Sequence, residues 1–423
     1  MLHIGSVKCS FLLCLGISIF ICSVIYIKGQ PSYALKVPQR ALRCRPFPQY
    51  CKALPPSFPY TRWQRTECQE VSFLEGPLNC SRMQSELHFI MTPLSKEEED
   101  YPLAFIITIH KDLETFVRLL RAVYAPQNIY CIHVDFKASE EYKASVEHLA
   151  ECFPNVFLAS ISETVTYAGF SRLKADINCM KDLVRSTVKW RKVINLCGQD
   201  FPIKSNLELV RYMQAAEWRD KNMTPGVKQP EYMQHRTQIQ YVEVKGQYVA
   251  PRGQRNKKSS PPHNLQLYFG TAYYTLTRAF VEYVLKSTVA KDLLEWSKDT
   301  YSPDEHYWVT LNHMKDAPGS KVNGGWEGDI RAIKWKDQDG KSHQGCNGSY
   351  VRDICVYGIE DLPWIILKNS MFANKFDSTV FPEALDCIEQ WHRHKVLLQA
   401  LVPIQLSWQL ATEVNISSVS EAI

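Results

Sequence analysis

From Leu103 onward the apolar positions fall into a regular alternation. "LAFIITIH" is continuously apolar, "LETFVRLLRAVY" repeats its apolar residues at helical spacing, and "NIYCIHVDF" is continuously apolar again. These periods predict strand, helix, strand. The series continues with the helix "EEYKASVEHLAECF", the strand "NVFLAS", the helix "SRLKADINCMKDLVRS", the strand "KVINLCGQDFP" and the helix "NLELVRYMQAAEW". Strands with no polar face, separated by helices, predict a mostly parallel sheet covered by helices on both faces, an α/β fold. Such sheets bind ligands beyond the carboxyl ends of their strands. The residues at those ends are His110 and Lys111, Asp135 to Lys137, and Gly198 to Asp200.

The second half is less regular. A polar, proline-bearing segment runs from Asn222 to His263, followed by "LQLYFGTAYYTLT", the helix "RAFVEYVLKS", "AKDLLEWSK", and a cysteine-bearing segment from Trp326 to Phe376. There is no internal repeat. A second independent domain is not expected, because the first half alone would leave one edge of its sheet uncovered.

Ahead of the alternation lies a different pattern. "CSFLLCLGISIFICSVIYI" places 19 uncharged residues between Lys8 and Lys28, enough to span a hydrocarbon core of about 30 Å. A cleaved signal peptide is the competing reading, but no small-residue cleavage site follows before Lys28. The expected organisation is a cytosolic tail at 1–8, a transmembrane signal anchor at 9–27, a proline-rich lumenal stem at 28–93 and a catalytic domain at 94–423. Lys28, Lys36, Arg40, Arg43 and Arg45 follow the span and, by the positive-inside rule, argue for a cytosolic body. The cysteines argue the other way: of 14, eleven follow the span, an unusual load for a reducing compartment. Four N-x-S/T sequons, at Asn79, Asn222, Asn347 and Asn415, agree with a lumenal body. Eleven is odd, so at least one thiol is free or pairs between chains. Composition adds little beyond this: 423 residues, 45% apolar, carry a net charge of +5 without Lys/Arg clustering, so no nucleic-acid partner is expected.

Candidate chemistry is sparse. The one Asp-x-Asp spacing, Asp337 to Asp339, lies in the polar run "KDQDGKSH" and reads as a turn, although a metal-dependent transferase would use such a pair. The histidines are scattered and no C-x-x-C occurs, so no metal site is expected. Neither a G-x-S-x-G elbow nor a P-loop is present. Cys346 and Cys355 are near enough to staple "CNGSYVRDIC", which would fix Arg352, a side chain suited to phosphate oxygens and equally readable as a surface arginine. In "TYSPDEHYW", Ser302 or Asp304 could cap a helix starting at Pro303, leaving Glu305 to project among Tyr301, Tyr307 and Trp308. There it is either a first-turn glutamate or a general base beside a sugar-binding aromatic surface.

Eight ordered segments settle the wider picture: "FIITIHKD", "RAVYAPQNIYCIHVD", "ADINCMKDLV", "INLCGQDFPIK", "YFGTAYYTLTR", "WSKDTYSPDEHYW", "RAIKW" and "MFANKF". Together, from about Pro93 to His394, they resemble the β-1,6-N-acetylglucosaminyltransferases that make core 2 and I-branched glycans. The resemblance implies a type II, single-pass Golgi membrane protein with a lumenal GT-A-like domain. It also implies inverting transfer of GlcNAc from UDP-GlcNAc to a 6-hydroxyl of galactose or GalNAc, with no metal cofactor. Glycoprotein or glycolipid glycans would be the acceptors, and a homodimer is left open. By motif, Glu305 would be the catalytic base, and Arg352 and Lys375 would replace a metal at the diphosphate. Thr108, Ile109, His110, Asp135, Phe136, Lys137 and Tyr167 would hold the nucleotide sugar, and Trp335 would face the acceptor. The same comparison pairs Cys51 with Cys387, Cys80 with Cys152, Cys131 with Cys179 and Cys346 with Cys355. Cys197 is left free, and Cys44 and Cys68 are unassigned. The departure lies in "GVKQPEYMQHRTQIQYVE", where core 2 enzymes carry a charged acceptor-gripping stretch; Arg236 is placed there as an acceptor contact. A catalytically silent member that binds UDP or a glycan is the rival reading.

Overall fold

The computed structural model describes residues 51, 79–253, 256–328 and 330–410. The chain divides into two units, 1–43 and 44–423, and all described residues belong to the second. The expected anchor at 9–27, Cys44, Cys68 and Asn415 lie outside the described residues. Among the described residues no helix is long and apolar enough to cross a membrane.

The first half forms the expected alternation. β1 (Leu103–Ile109), β2 (Ile129–Val134), β3 (Val156–Leu158) and β4 (Lys192–Cys197) are parallel in the order β4-β1-β2-β3. α1 (Leu113–Val123), α2 (Glu140–Glu151) and α3 (Phe170–Arg185) connect them. Each face of β1 is covered. Ala104 and Ile106 join Leu173, Ile177 and Met180 of α3 in one core, while Phe105 stacks on Tyr130 at 5.2 Å on the other side. Burial of apolar surface on both faces is what permits strands without polar positions. The register sets Thr108 of β1 level with His133 of β2 and Cys197 of β4. Their carboxyl ends therefore open at one edge.

"KVINLCGQDFP" is two strands rather than one. The Asp200 carboxylate accepts the Cys197 N–H at 2.7 Å and pairs with Arg331 at 3.0 Å, both groups fully buried, which turns the chain out of the sheet. β5 (Asp200–Pro202) then enters a second sheet, β7-β10-β5, with β7 (Arg331–Ile333) and β10 (Phe372–Asn374). β6 (Thr275–Thr277) adds antiparallel to β4 and makes the main sheet mixed. Beyond it lie α4 (Arg278–Lys286), α5 (Thr288–Trp296) and α6 (Tyr307–Asn312). β8 (Ser349–Val351) and β9 (Ile354–Val356) form a hairpin whose turn residues, Arg352 and Asp353, both have positive φ, 51° and 62°. That is a two-residue turn matched to strand twist.

Among the described residues four disulfides join Cys51 to Cys387, Cys80 to Cys152, Cys131 to Cys179 and Cys346 to Cys355, and Cys197 is free. Two corrections follow. Residues assigned to the stem belong to the packed body: Cys80–Glu86 is helical, and Met83, Leu87, Phe89 and Ile90 are buried. Asn222 is also unsuited to carry a glycan in the folded chain. It is fully buried, its amide nitrogen donates to Asn312 at 3.0 Å and to the Pro318 carbonyl at 2.8 Å, and its oxygen accepts the Thr277 N–H. Asn79 and Asn347 are exposed.

Candidate active site

The open edge of the main sheet carries a cluster of cations. Asp135, buried after β2, accepts from the Lys137 backbone at 2.9 Å and its ammonium at 2.8 Å. Lys111, after β1, lies 3.3 Å from Asp377. Partial burial and the neighbours Lys111, Lys137 and Arg352 hold the His110 imidazole below its usual value, against Asp135. The Thr108 hydroxyl is buried without a hydrogen-bond partner among the described residues. Phe136 is exposed, with the Lys143 ammonium 4.8 Å above its ring. Ile109 contributes shape rather than a free group: its side chain is buried and its carbonyl accepts the Asp135 N–H at 2.8 Å.

The hairpin β8–β9 brings the strongest charges. Arg352 occupies its turn and lies 4.8 Å over the Tyr167 ring. Lys375, just after β10, is buried and donates to the Val351 carbonyl at 3.1 Å. Burial, together with Arg352 and Lys111, holds its ammonium below the usual range. Among the described residues neither Arg352 nor Lys375 forms an ion pair with a carboxylate. Two neighbouring cations that make no carboxylate ion pair, with Asp377 acting on Lys375 only from a distance, suit an anion such as a diphosphate. Cys197 lies at the same level as Thr108; burial and then Asp200 push its thiol up to about 12, so it is no nucleophile.

The carboxylate is a neighbour of the hydroxyl of the same Tyr167. Pro303–Glu305 is a single 3-10 turn, entered through Ser302 in the left-handed region (φ 46°) and tied to the loop before α3 by a 2.8 Å bond from the Ser302 N–H to the Ala168 carbonyl. Neither Ser302 nor Asp304 makes the expected side-chain cap. The two carboxylates diverge: Asp304 is 8% exposed and feels Arg172 and Asp176, whereas the Glu305 side chain is 31% exposed and bonds Arg236. Burial and then Asp304 raise Glu305 to about 7, opposed by Arg236. A carboxyl poised near neutrality and reachable from solvent fits a general base.

Arg236, expected as an acceptor contact, pairs with this carboxylate. Its guanidinium lies 5.3 Å from both the Phe269 and Tyr301 rings, which fix its plane. Of the aromatics expected around Glu305, Tyr301 is therefore in place, but Tyr307 and Trp308 are fully buried in the core and offer no sugar surface. Phe269 was missed; "YFGTAYY" marks an aromatic-rich strand, but its partner, Arg236, lies 33 residues away. Tyr167 is exposed, and its hydroxyl feels Tyr301, Glu305, Arg352 and Arg236, so it is a neighbour of both groups. Trp335 is exposed beside the hairpin, its backbone bridged to Ile354. Asp337 and Asp339 are exposed around the turn Lys336–Gln338, away from the strand ends. Among the described residues the one grouping with metal-ligand spacing is Cys346, Cys355 and Asp361, and its sulfurs are joined in a disulfide.

Comparison with known proteins gives this geometry its context. Residues 103–366 match the family model described as Core-2/I-Branching enzyme. The chain is 57% identical to a human protein described as a probable β-1,3-galactosyl-O-glycosyl-glycoprotein β-1,6-N-acetylglucosaminyltransferase 7, over 79% of this chain and 78% of that one. Its Sus scrofa counterpart is 54% identical over 82% and 81%. A human N-acetyllactosaminide β-1,6-N-acetylglucosaminyl-transferase is 49% identical over 78% and 81%.

Proposed function

Because this chain belongs to the core-2/I-branching enzyme family and is a glycosyltransferase, we propose that it transfers GlcNAc from UDP-GlcNAc, in β-1,6 linkage, to galactose or GalNAc in O-glycans or lactosamine chains. The observation that carries the reading is the meeting of two groups at Tyr167: its ring lies 4.8 Å from the Arg352 guanidinium, and its hydroxyl also feels the paired Glu305 and Arg236. The acceptor 6-hydroxyl gives its proton to the Glu305 carboxylate as its oxygen attacks the anomeric carbon. The bond from that carbon to UDP breaks on the opposite face, and its electron pair passes to the diphosphate, inverting the centre. Arg352 and Lys375 supply fixed positive charge where the leaving group develops. Thr108, His110, Asp135, Phe136, Lys137 and Tyr167 line the donor side of a GT-A-like fold.

In this reading no metal takes part, and Asp337 and Asp339 are turn residues. Four disulfides favour an oxidising lumen, in agreement with a type II Golgi protein. The test is transfer from labelled UDP-GlcNAc by the full chain, in EDTA, to a core 1 glycan and to a linear lactosamine. Product on either acceptor supports the reading and chooses between acceptors. Activity only after metal is restored assigns the pair Asp337 and Asp339 instead, and UDP binding with silence on both acceptors favours a binding protein.

A further inference from the structure

The aromatic layer under Arg236 continues beyond the charged pair. Phe269, which carries the guanidinium on its ring, meets Trp326 edge to face at 6.5 Å and 76°. Trp326 is 55% exposed, so burial does not account for an indole there. Its loop is nonetheless braced. The Gly226 N–H donates to the Gly325 carbonyl at 2.9 Å, and the Gly325 N–H donates to the Glu327 carboxylate at 2.6 Å. Glu327 pairs with Lys321 at 3.1 Å, and that ammonium lies 4.0 Å over the Trp218 ring. Gly226 packs so closely on the Phe269 backbone that a Cβ would lie 2.5 Å from its carbonyl oxygen. The indole is thus exposed on a braced loop, in edge contact with the Phe269 ring that carries the Arg236 guanidinium.

We propose that Trp326 is the platform of a second sugar subsite, stacking on the apolar face of the sugar next to the one that accepts GlcNAc. This rests on the reading that an acceptor hydroxyl meets Glu305. The ring contacts run from the indole through Phe269 to the Arg236 guanidinium that pairs with Glu305, so the sugar next to an accepting ring at Glu305 is the part of a glycan that this layer would lead to the indole. The ligand class is a neutral glycan of two or more pyranose rings, because the charges beside the indole, Lys321 and Glu327, neutralise each other. Aromatic faces favour the C–H surface of such rings.

The test compares the wild-type full chain with Trp326→Ala and Trp326→Phe, on β-galactoside disaccharides and on methyl β-galactoside. Trp326→Ala raises KM for the disaccharide about five- to tenfold, leaves kcat and the donor KM unchanged, and leaves the monosaccharide unaffected; Trp326→Phe recovers most of the loss. An unchanged disaccharide KM, or an equal rise for the monosaccharide, overturns the subsite. Saturation-transfer NMR on the UDP-loaded chain reads the contact without turnover, through protons of the non-accepting ring. Should the wild type transfer to neither acceptor, the proposed function fails, and this readout alone decides the subsite: signal lost in Trp326→Ala supports it, and absence of signal in the wild type overturns it.

Discussion

The two halves of the body divide the labour. Residues 103–214 are built on three strands of six or seven residues and on helices that fill both faces of the sheet, and supply backbone ends, the orphaned Thr108 hydroxyl and Tyr167. Residues 222–377 are built from three- and four-residue strands, short turns and a stapled hairpin, yet supply Glu305, Arg236, Arg352 and Lys375. Regular structure positions the edge of the sheet; irregular structure carries the charge. Left-handed residues make that possible, since Ser302 and Arg352 turn the chain sharply just where a side chain must project.

The sharpest test of this division removes the base. Glu305→Gln keeps the shape and the Arg236 contact but cannot take a proton. Transfer is expected to fall roughly a thousandfold, with UDP affinity unchanged by calorimetry. A variant with normal turnover would move the chemistry elsewhere. Next in size are Arg352→Ala and Lys375→Ala, each expected to lower kcat/KM about a hundredfold and to weaken UDP binding. The matching substitution in the regular half, Lys137→Ala, is expected to cost less, because Lys137 is already paired with Asp135. Equal losses at all three would erase the contrast between halves.

Legibility followed the same division. Strand and helix periods in residues 103–214 predicted the elements and the open edge, because continuous apolar runs can only be buried strands here. The break at Gly198–Gln199 was not legible, since it depends on Arg331, 131 residues beyond Asp200. In the second half the motifs pointed to Glu305, Arg352 and Lys375 one at a time. Only the family resemblance joined them into one site; the elements that carry them were not readable, because three-residue strands carry too few positions to show a period. Local aromatic content misled at Tyr307 and Trp308, where burial and not exposure explains the residues.

A smaller effect separates positioning from chemistry at Glu305. Its carboxyl is raised to about 7, and a base must be deprotonated, so activity is present above that pH and is lost as pH falls through it. Arg236 favours the charged form. Arg236→Met should therefore move the acid limb of kcat/KM upward by about one unit, roughly a fivefold loss at pH 7 that is recovered at higher pH. A uniform loss across pH would make Arg236 an acceptor ligand instead of a positioning residue.

The smallest effect on rate compares one staple in each half. The Cys131–Cys179 disulfide ties β2 to α3 across 48 residues, and its loss, by paired Ala substitution, is expected to cost ~4 kcal/mol of global stability. Folded enzyme should turn over normally, because neither sulfur is near the charged cluster. Cys346–Cys355 closes only 9 residues, for which the same entropy model gives ~2.6 kcal/mol. A two-stranded ribbon is marginal alone, so without its staple the hairpin can open while the core stays folded. Melting should then shift less than that figure implies, while the donor KM rises several-fold as Arg352 loses its fixed turn. If removing Cys131–Cys179 instead raised the donor KM by the same factor in folded protein, the two halves would be one cooperative site rather than a scaffold with a charged attachment.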